Sequence, residues 1–392
     1  MLYPPAVLER AMTIREVVLR AMSGEITWIQ AAEIIGCTPR TVRRWRWRFE
    51  HAGYDGLLDR RRGRPSPRKA PFAEVQRILQ LYRVRYAGFN ARHFHQLARR
   101  DHAVTLSYTY VKTALQHAGL LPKHRPRGRH RRRREPRPCF GELVHLDGSR
   151  HRWLALAPEQ FATLIVAVDD ATKRVLYAQL VEGGESLDAI MTALRAMLEG
   201  YGIPGALYTD RAGWAVYTPT SGTGPDRTKL TQVGRALARL GIEHIVSFSP
   251  QARGRSERMN RTLQDRLVQE LRAAHIRTLP AANRFLTERF LPSFNATFQR
   301  PPADPAVAFI PLGRSDLDQI LCHEESRTVA RDNTVVLDRV VLQIDKQRGR
   351  RSCAGLPVLV RRHLDGRHSI WWGPRCLGRY TATGRPLLTR TA

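Results

Sequence analysis

The segment LVHLD (143–147) is the first of three apolar runs that decide the fold of the central part of the chain. The runs ATLIVAVDD (162–170) and RVLYAQLV (174–181) follow it. Short runs that are rich in valine, leucine and isoleucine are typical of buried strands. We therefore expect three successive strands that pair as antiparallel neighbours.

The chain then alternates between helix and strand. The predicted elements are an amphipathic helix at 186–202, a strand at 206–210 (ALYTD), a helix at 228–240, a strand at 243–248 (EHIVSF) and helices at about 254–273 and 280–298. Ser186 is the expected N-cap of the first helix, and Gly200 lies near its end. Three strands followed by alternating helices and strands is the element order of ribonuclease H. The sequence therefore predicts a ribonuclease H-like α/β core over residues 140–300.

Three carboxylates lie at the ends of these predicted elements. Asp147 ends the first strand, Asp210 ends the fourth, and Glu257 opens a helix after the Gly-containing turn at 251–256. The carboxyl end of a strand is the usual place for a ligand in an open sheet. Magnesium prefers hard oxygen ligands, and a pair of such ions can cut and rejoin phosphodiester bonds without a protein nucleophile. We therefore predict that Asp147, Asp210 and Glu257 are both metal ligands and catalytic residues, for two Mg²⁺ ions that Mn²⁺ can replace.

Other acidic and polar residues near these positions have different expected roles. Asp169 and Asp170 follow a strand, and we expect them to have a structural role. Helical spacing places Glu257 on one stripe with Arg261 and Gln264, so the arginine and glutamine are expected to point towards DNA beside the site. Arg258 is a further expected DNA contact.

The composition points to a polyanionic partner. The chain has 392 residues, enough for about two to four domains, and a net charge of +30 with an isoelectric point of about 11.2. Nucleic acid is the simplest partner for such a charge, and an anionic membrane surface is the alternative. No lipidation motif is present, and the longest apolar runs are too short to span a bilayer, so no membrane partner is expected. Five scattered cysteines without a CxxC pair argue against a zinc finger and favour a reducing cytoplasm.

The N-terminal residues 1–58 are predicted to form a helix-turn-helix DNA-binding domain. Thr38 and Pro39 provide an N-cap and a first-turn proline for its last helix, after a turn at Gly36. This helix has an apolar stripe and an exposed face that suits a major groove. The expected DNA contacts on that face are Arg40, Arg43, Arg44 and Arg46. The alternative is a three-helix bundle whose basic face is merely solvated.

Residues 72–121 are predicted to form a second helix-turn-helix-like domain, with Asn90 and Ser107 as N-caps. Two tandem domains of this kind would cover a longer DNA site than one. His93 and His95 form an HxH pair without a matching cysteine or carboxylate cluster, so surface histidines are favoured over a metal site.

A basic linker at 122–139 follows, and its positive charges and prolines exclude a core. Its arginines, which include Arg131, Arg132, Arg133 and Arg134, are expected to lie along a DNA duplex. The alternative is a solvated linker without contacts. Residues 325–392 contain short β runs that predict a small β-barrel. Trp371 and Trp372 could be core or interface residues there, and the core is favoured.

The order Asp, Asp, Glu on such a core resembles the DDE transposase and retroviral-integrase superfamily. YTDRAGWAVY (208–217) followed by SPQARGRSERMNRTLQDRLVQEL (249–271) closely resembles insertion-sequence transposases of the group labelled ISNCY. The resemblance covers nearly the whole chain. It implies metal binding by the three carboxylates, binding of transposon ends and target as double-stranded DNA, and a homo-oligomer on paired ends. It also implies a bacterial, nucleoid-associated protein of the cytoplasm.

The sequence departs from the family pattern in two places. The separation between Asp210 and Glu257 is longer than in compact integrase cores, and the Gly/Pro/Thr-rich stretch 215–229 accounts for the surplus. Gln264 stands where integrases often have a basic residue, so Arg258 or Arg261 is expected to take over that contact. The zinc-binding N-terminal module of retroviral integrases is missing.

Three functions fit these features. The first is an active DNA transposase that frees 3′-hydroxyl ends and joins them to a target. The second is a catalytically silent DNA-binding regulator derived from a transposase. The third is a ribonuclease acting on RNA–DNA hybrids. The intact carboxylate trio favours an enzyme over a regulator, and the tandem DNA-binding domains favour a transposase over a ribonuclease.

Deleting residues 123–138 should flatten the dependence of DNA affinity on salt. Each phosphate that the arginines neutralise releases about one counterion, so fewer contacts give a shallower slope. The measurement is the slope of log Kd against log salt concentration, compared with a chain that has a Gly/Ser linker of equal length. An unchanged slope would mean that this segment does not touch DNA.

Overall fold

The computed structural model describes residues 3–58, 70–123, 135–219, 229–247 and 254–387. The chain divides into two units, Met1–Gln76 and Arg77–Ala392. The four arginines at 131–134 and residues 251–253 of the turn predicted before Glu257 lie outside the described residues, whereas 254–256 are already helical. None of the described helices is both long enough and apolar enough to cross a bilayer.

The first unit contains the predicted helix-turn-helix. Its helices are α1 (Pro5–Met22), α2 (Trp28–Ile35) and α3 (Pro39–Ala52). A capping box between Thr27 and Gln30 starts α2, and Gly36 ends it in the left-handed conformation, with a φ of +73°. The Thr38 hydroxyl accepts a hydrogen bond from the backbone N–H of Thr41, which confirms the predicted N-cap of α3. Val18 and Val42 are fully buried where the helices meet.

The second helical module consists of α4 (Phe72–Arg85), α5 (Ala91–His102) and α6 (Tyr108–His117). Asn90 and Ser107 cap α5 and α6, as predicted. His93 and His95 are buried, so their predicted surface position is wrong. The physical reason is that each ring has a protein partner: His93 Nε2 lies 2.8 Å from the Glu270 carboxylate, and His95 Nε2 lies 2.9 Å from the carbonyl of Leu106.

The central part of the chain forms a mixed five-stranded sheet. The elements that build it, and a short strand before it, are β1 (Cys139–Phe140), β2 (Leu143–His151), β3 (Ala162–Asp169), β4 (Val175–Glu182), α7 (Leu187–Tyr201), β5 (Ala206–Thr209), α8 (Gln232–Arg239) and β6 (Glu243–Val246). The strand order is β4-β3-β2-β5-β6. β2, β3 and β4 pair antiparallel, whereas β2, β5 and β6 pair parallel. The predicted meander and the helix–strand alternation are both observed.

Helices cover both faces of this sheet. α7 and α8 pack on one face, against Val144 and Ile165. α9 (Gly254–Ala273), α10 (Leu279–Phe285) and α11 (Leu291–Phe298) follow, and they pack on the other face against Leu164 and Val166. Successive residues of β3 therefore enter opposite cores, and the whole strand is buried. This explains why β3 is a continuous apolar run and not an alternating one.

The outer edge of β4 is covered by two asparagine side chains. Asn283 of α10 accepts a hydrogen bond from the N–H of Leu180 at 2.8 Å and donates one to the carbonyl of the same residue at 2.8 Å. Asn295 of α11 bonds to both backbone groups of Val175 in the same way, at 2.9 Å each. A free strand edge invites pairing with another chain, and these amides occupy its hydrogen-bonding groups.

The C-terminal part is not a closed barrel in the described residues, which corrects the predicted small β-barrel. Its elements are β7 (Asp304–Val307), which pairs with β1, then α12 (Leu317–Ile320), β8 (Cys322–Thr328), β9 (Thr334–Leu337), β10 (Val340–Gln343), β11 (Pro357–His363), β12 (His368–Trp372) and β13 (Arg375–Tyr380). An open sheet of order β13-β12-β11-β8 and a β9-β10 hairpin share one apolar core. Two layers can close that core by packing face to face, so barrel closure is not needed. Trp371 is half-buried and Trp372 is exposed, so neither tryptophan is the core residue that was favoured.

A buried carboxylate joins this C-terminal sheet to α8. Glu324 of β8 lies 2.8 Å from Arg361 of β11, 3.2 Å from Arg235 and 2.7 Å from Arg239. Arg235 also donates to the carbonyl of Ile320 at 3.1 Å. Burial lowers the pKa of Arg235, and Glu324 opposes that shift.

Replacing Asn283 or Asn295 with alanine should lower the free energy of unfolding by roughly 1–3 kcal/mol each. Either change leaves a backbone N–H and a carbonyl at the edge of β4 without their partner. Urea unfolding followed by circular dichroism measures the effect, and the change Ser293→Ala on the exposed side of α11 is the matched control. Variants that unfold at the control's midpoint would contradict a role for the asparagines in covering this edge.

Candidate functional site

The strands associated with the predicted aspartates, β2 and β5, are direct neighbours in the sheet. Asp210 directly follows β5, as predicted, whereas Asp147 lies in the middle of β2, which continues to His151, so the prediction that Asp147 ends its strand is wrong. The antiparallel pairing of β2 with β3 continues to the end of β2, and this pairing extends the strand beyond Asp147. The parallel pairs are Leu143 with Ala206, Val144 with Leu207 and His145 with Tyr208. Asp147 and Asp210 each lie two positions beyond the last of these pairs. Because side chains alternate along paired strands, this register directs Asp147 and Asp210 to the same face of the sheet, just beyond the paired residues.

Asp147 is buried, with 7% of its surface exposed, and it faces α9. Asn260 of α9 donates a hydrogen bond from Nδ2 to Asp147 Oδ2 at 2.9 Å. One turn further along the helix, Gln264 Nε2 donates to the Ser149 hydroxyl at 2.9 Å. Asn260 Oδ1 is also buried, and none of the described residues forms a hydrogen bond with it. Two side-chain hydrogen bonds therefore hold the first half of α9 against β2. Next to Asp147, the Asn260 Oδ1 atom can still accept a hydrogen bond.

Glu257 lies in the first turn of α9, three residues before Asn260, and its side chain is exposed. A spacing of three residues puts both side chains on the same face of a helix. In the part of the chain that the structure describes, no group of three or more His, Cys, Asp or Glu side chains is arranged to hold a metal ion. The structure thus places Asp147 and Asp210 on neighbouring strand segments but, among the described residues, does not gather Glu257 with them.

The segment after Asp210 turns back on itself. Asp210 Oδ1 accepts a hydrogen bond from the N–H of Ala212 at 2.9 Å. Trp214 Nε1 donates to Glu185 Oε2 at 2.7 Å. In the residue before Asp210, the Thr209 hydroxyl lies 2.9 Å from Nε2 of His244. Burial lowers the pKa of His244. No local sequence pattern distinguishes Glu185, Trp214 or Asn260 from surface residues, so their contacts were not predicted.

A second carboxylate pair lies deeper in the sheet. His145 Nε2 donates to Asp170 Oδ1 at 2.9 Å, and the His145 ring packs against Tyr208 with 4.9 Å between ring centroids. Asp169 Oδ2 accepts bonds from the N–H and the hydroxyl of Thr172. These contacts fit the structural role predicted for Asp169 and Asp170.

The predicted DNA contacts fall into three groups. The α3 residues Arg40, Arg43, Arg44 and Arg46 are exposed. Arg46 is in part neutralised by Glu50, which is 2.7 Å away. On α9, Arg258 and Arg261 are exposed, whereas Gln264 is half-buried with its amide nitrogen bonded to Ser149. The linker arginines lie outside the described residues.

Known protein families match the N-terminal modules. A model described as a helix-turn-helix domain matches residues 15–66, and one described as a homeodomain-like domain matches residues 41–115. Among solved structures, an intasome of simian T-cell lymphotropic virus in complex with PP2A regulatory subunit B56 gamma aligns with 15% identity and a TM-score of 0.31, covering 80% of this chain and 100% of that one. A pre-cleavage Mos1 transpososome aligns with 15% identity and a TM-score of 0.21, covering 76% and 99%. These scores are too low to support a shared fold.

Sequence relatives cover most of the chain. The transposase y4bF of Sinorhizobium fredii is 32% identical over 370 residues, which make up 94% of this chain and 80% of the relative. The transposase of insertion sequence IS1202 from Streptococcus pneumoniae is 29% identical, over 73% of this chain and 68% of the relative. With this identity over almost its whole length, the chain belongs to the family of insertion-sequence transposases.

Proposed function

We propose that this chain is a DNA transposase that binds the inverted repeats at transposon ends, cuts the DNA there and joins the ends to target DNA. The observation that carries the proposal is the parallel pairing of β2 with β5, whose register directs Asp147 of β2 and Asp210, which directly follows β5, to the same face of the sheet. The strand order β4-β3-β2-β5-β6, with helices on both faces, supports a ribonuclease H-like core. Membership of the transposase family supports DNA as the substrate.

The donor set fits divalent metal ions. Asp147 and Asp210 offer carboxylate oxygens from adjacent strand segments, and Mg²⁺ prefers such ligands, as does Mn²⁺. The buried Oδ1 of Asn260 supports this, because it can accept a hydrogen bond from water bound to an ion. Glu257 would be the third carboxylate ligand. It lies in the first turn of α9, and its side chain is exposed to solvent. Two bound ions would supply Lewis acidity on both sides of the reacting phosphate.

The chain's own residues then have separate tasks. Asn260 holds the Asp147 carboxylate in one orientation by its 2.9 Å hydrogen bond. The short turn at Ala212 fixes the Asp210 carboxylate in the same way.

In the first reaction a water oxygen attacks the phosphorus and the 3′-oxygen of the transposon end leaves as a hydroxyl. In the second, that hydroxyl attacks a target phosphate directly and displaces another 3′-oxygen, so no covalent bond to the protein forms.

DNA recognition is assigned to the basic helices. We place α3 in a major groove, where Arg40, Arg43 and Arg44 reach base edges or phosphates. The second helical module extends the site, and the linker arginines neutralise phosphates along it. Arg258 and Arg261 are placed against the DNA next to the reacting phosphate, and Gln264 uses one of its two amide N–H donors for Ser149. A homo-oligomer that holds two ends together completes the proposed complex.

A catalytically silent DNA-binding regulator is the second candidate. The exposed Glu257, which is not gathered with the two aspartates among the described residues, favours it. Labelled DNA from the flanks of the gene, incubated with protein and Mg²⁺, separates the two. Discrete nicks that leave 3′-hydroxyls at inverted repeats support the transposase. Tight footprints without nicks, in Mg²⁺ or Mn²⁺, support the regulator.

The change Asp147→Asn should abolish strand cleavage and leave DNA affinity nearly intact, because the amide is a much weaker metal ligand of the same size. Nicking of end-labelled DNA and Kd are measured on the same preparations. The change Glu159→Gln, at an exposed position, is the matched control and should cleave normally. Cleavage by Asp147→Asn at the control's rate would refute Asp147 as a ligand.

Replacing Arg43 and Arg44 together with alanine should weaken binding to end sequences by about tenfold or more, since each lost base contact costs about 1–3 kcal/mol. Competition binding with end DNA and with random DNA provides the measurement. Arg15→Ala, which removes a charge from the exposed side of α1, is the control. An equal loss for both DNAs would identify the two arginines as phosphate contacts and not base readers.

A further inference from the structure

Glu185 contacts residues close in sequence to both Asp147 and Asp210. It lies in the turn between β4 and α7, directly before the helix N-cap Ser186. Its Oε2 accepts the indole N–H of Trp214 at 2.7 Å. Trp214 packs against the core between the sheet and α7, so this bond ties the segment that follows Asp210 to the body of the domain.

Gly148 is the second contact of Glu185. A Cβ atom added at position 148 would collide with Cγ, Cδ and Oε1 of the Glu185 side chain. The glutamate therefore fills the space that any other residue at 148 would need. Gly148 immediately follows Asp147 on β2, and Trp214 lies four residues after Asp210. The Glu185 side chain therefore contacts one residue close to each aspartate.

Glu185 is on the other face of the sheet from the Asp147 carboxylate. Successive residues of a strand point to opposite faces, so Gly148 faces α7 while Asp147 faces α9 and its partner Asn260. A carboxylate behind the strand cannot share a ligand position with Asp147. Its effect on the metal site must pass through the backbone of β2 and through the segment from Asp210 to Trp214.

We infer that Glu185 is a positioning residue that sets the separation of Asp147 and Asp210 through Gly148 and Trp214. The inference rests on the proposed function. In this role Glu185 needs glycine at 148, which leaves room for its side chain, and tryptophan at 214, which donates to its carboxylate.

Three substitutions separate positioning from direct metal binding. Glu185→Ala removes the acceptor, and Trp214→Phe removes the N–H but keeps an aromatic ring. Glu185→Gln keeps an oxygen acceptor of the same reach and removes only the charge. Glu182→Ala, at the exposed end of β4, is the matched control.

The first measurement is the Mn²⁺ concentration that gives half-maximal nicking of end DNA. Glu185→Ala and Trp214→Phe should each raise it on the order of tenfold, as expected for residues that orient metal ligands. The double variant should be no worse than either single one, because both break the same contact. Glu185→Gln should restore most of the wild-type value. A Gln variant as impaired as the Ala variant would overturn the inference, since the charge itself would then be needed.

The second measurement does not depend on activity. Hydrogen exchange over residues 206–219 should be faster in Glu185→Ala and Trp214→Phe than in wild type, and near wild type in Glu185→Gln and Glu182→Ala. Unchanged exchange in the first two variants would refute the positioning role even if nicking occurs. If exchange is faster in those two variants but the wild-type protein does not nick DNA, the Glu185 contact is supported. Only the proposed transposase function is then contradicted.

Discussion

The parallel pairing of β2 with β5 is the interaction on which the rest of the site depends. β2 is the middle strand of the sheet and pairs antiparallel with β3 on its other side, so its position is fixed from both edges. A shift of one residue in the β2–β5 register would turn one aspartate to the opposite face. The proposed chemistry therefore depends on backbone hydrogen bonds as much as on the carboxylates themselves.

Contacts from both faces of the sheet hold the segments around Asp147 and Asp210. On one face, Asn260 and Gln264 of α9 bond to β2, while the apolar side of that helix is buried in the core. On the other face, Glu185 lies against Gly148 and holds Trp214. The polar contacts on both faces lie next to large apolar cores, which gives them rigid support. The C-terminal sheet is joined to the same domain through α8, by the buried carboxylate of Glu324.

Local patterns predicted much of the fold, and contacts that are distant in sequence were missed. The N-cap Thr38 and the strand β3 follow from a few adjacent residues and were predicted. The burial of His93 depends on Glu270, and the role of Glu185 depends on Gly148 and Trp214, which only the fold brings near. Barrel closure was predicted wrongly for the same reason, because it depends on which distant strands pair. The assignment of metal ligands stays a prediction.

The most direct test asks whether Asp147 and Asp210 hold the same metal ion. Binding of Mn²⁺ to the full-length protein on end DNA is measured by electron paramagnetic resonance for Asp147→Asn, Asp210→Asn and the double variant. If the aspartates share an ion, each single change should weaken binding and the double change should add little more. Losses that simply add, or binding equal to that of wild type, would contradict a shared site.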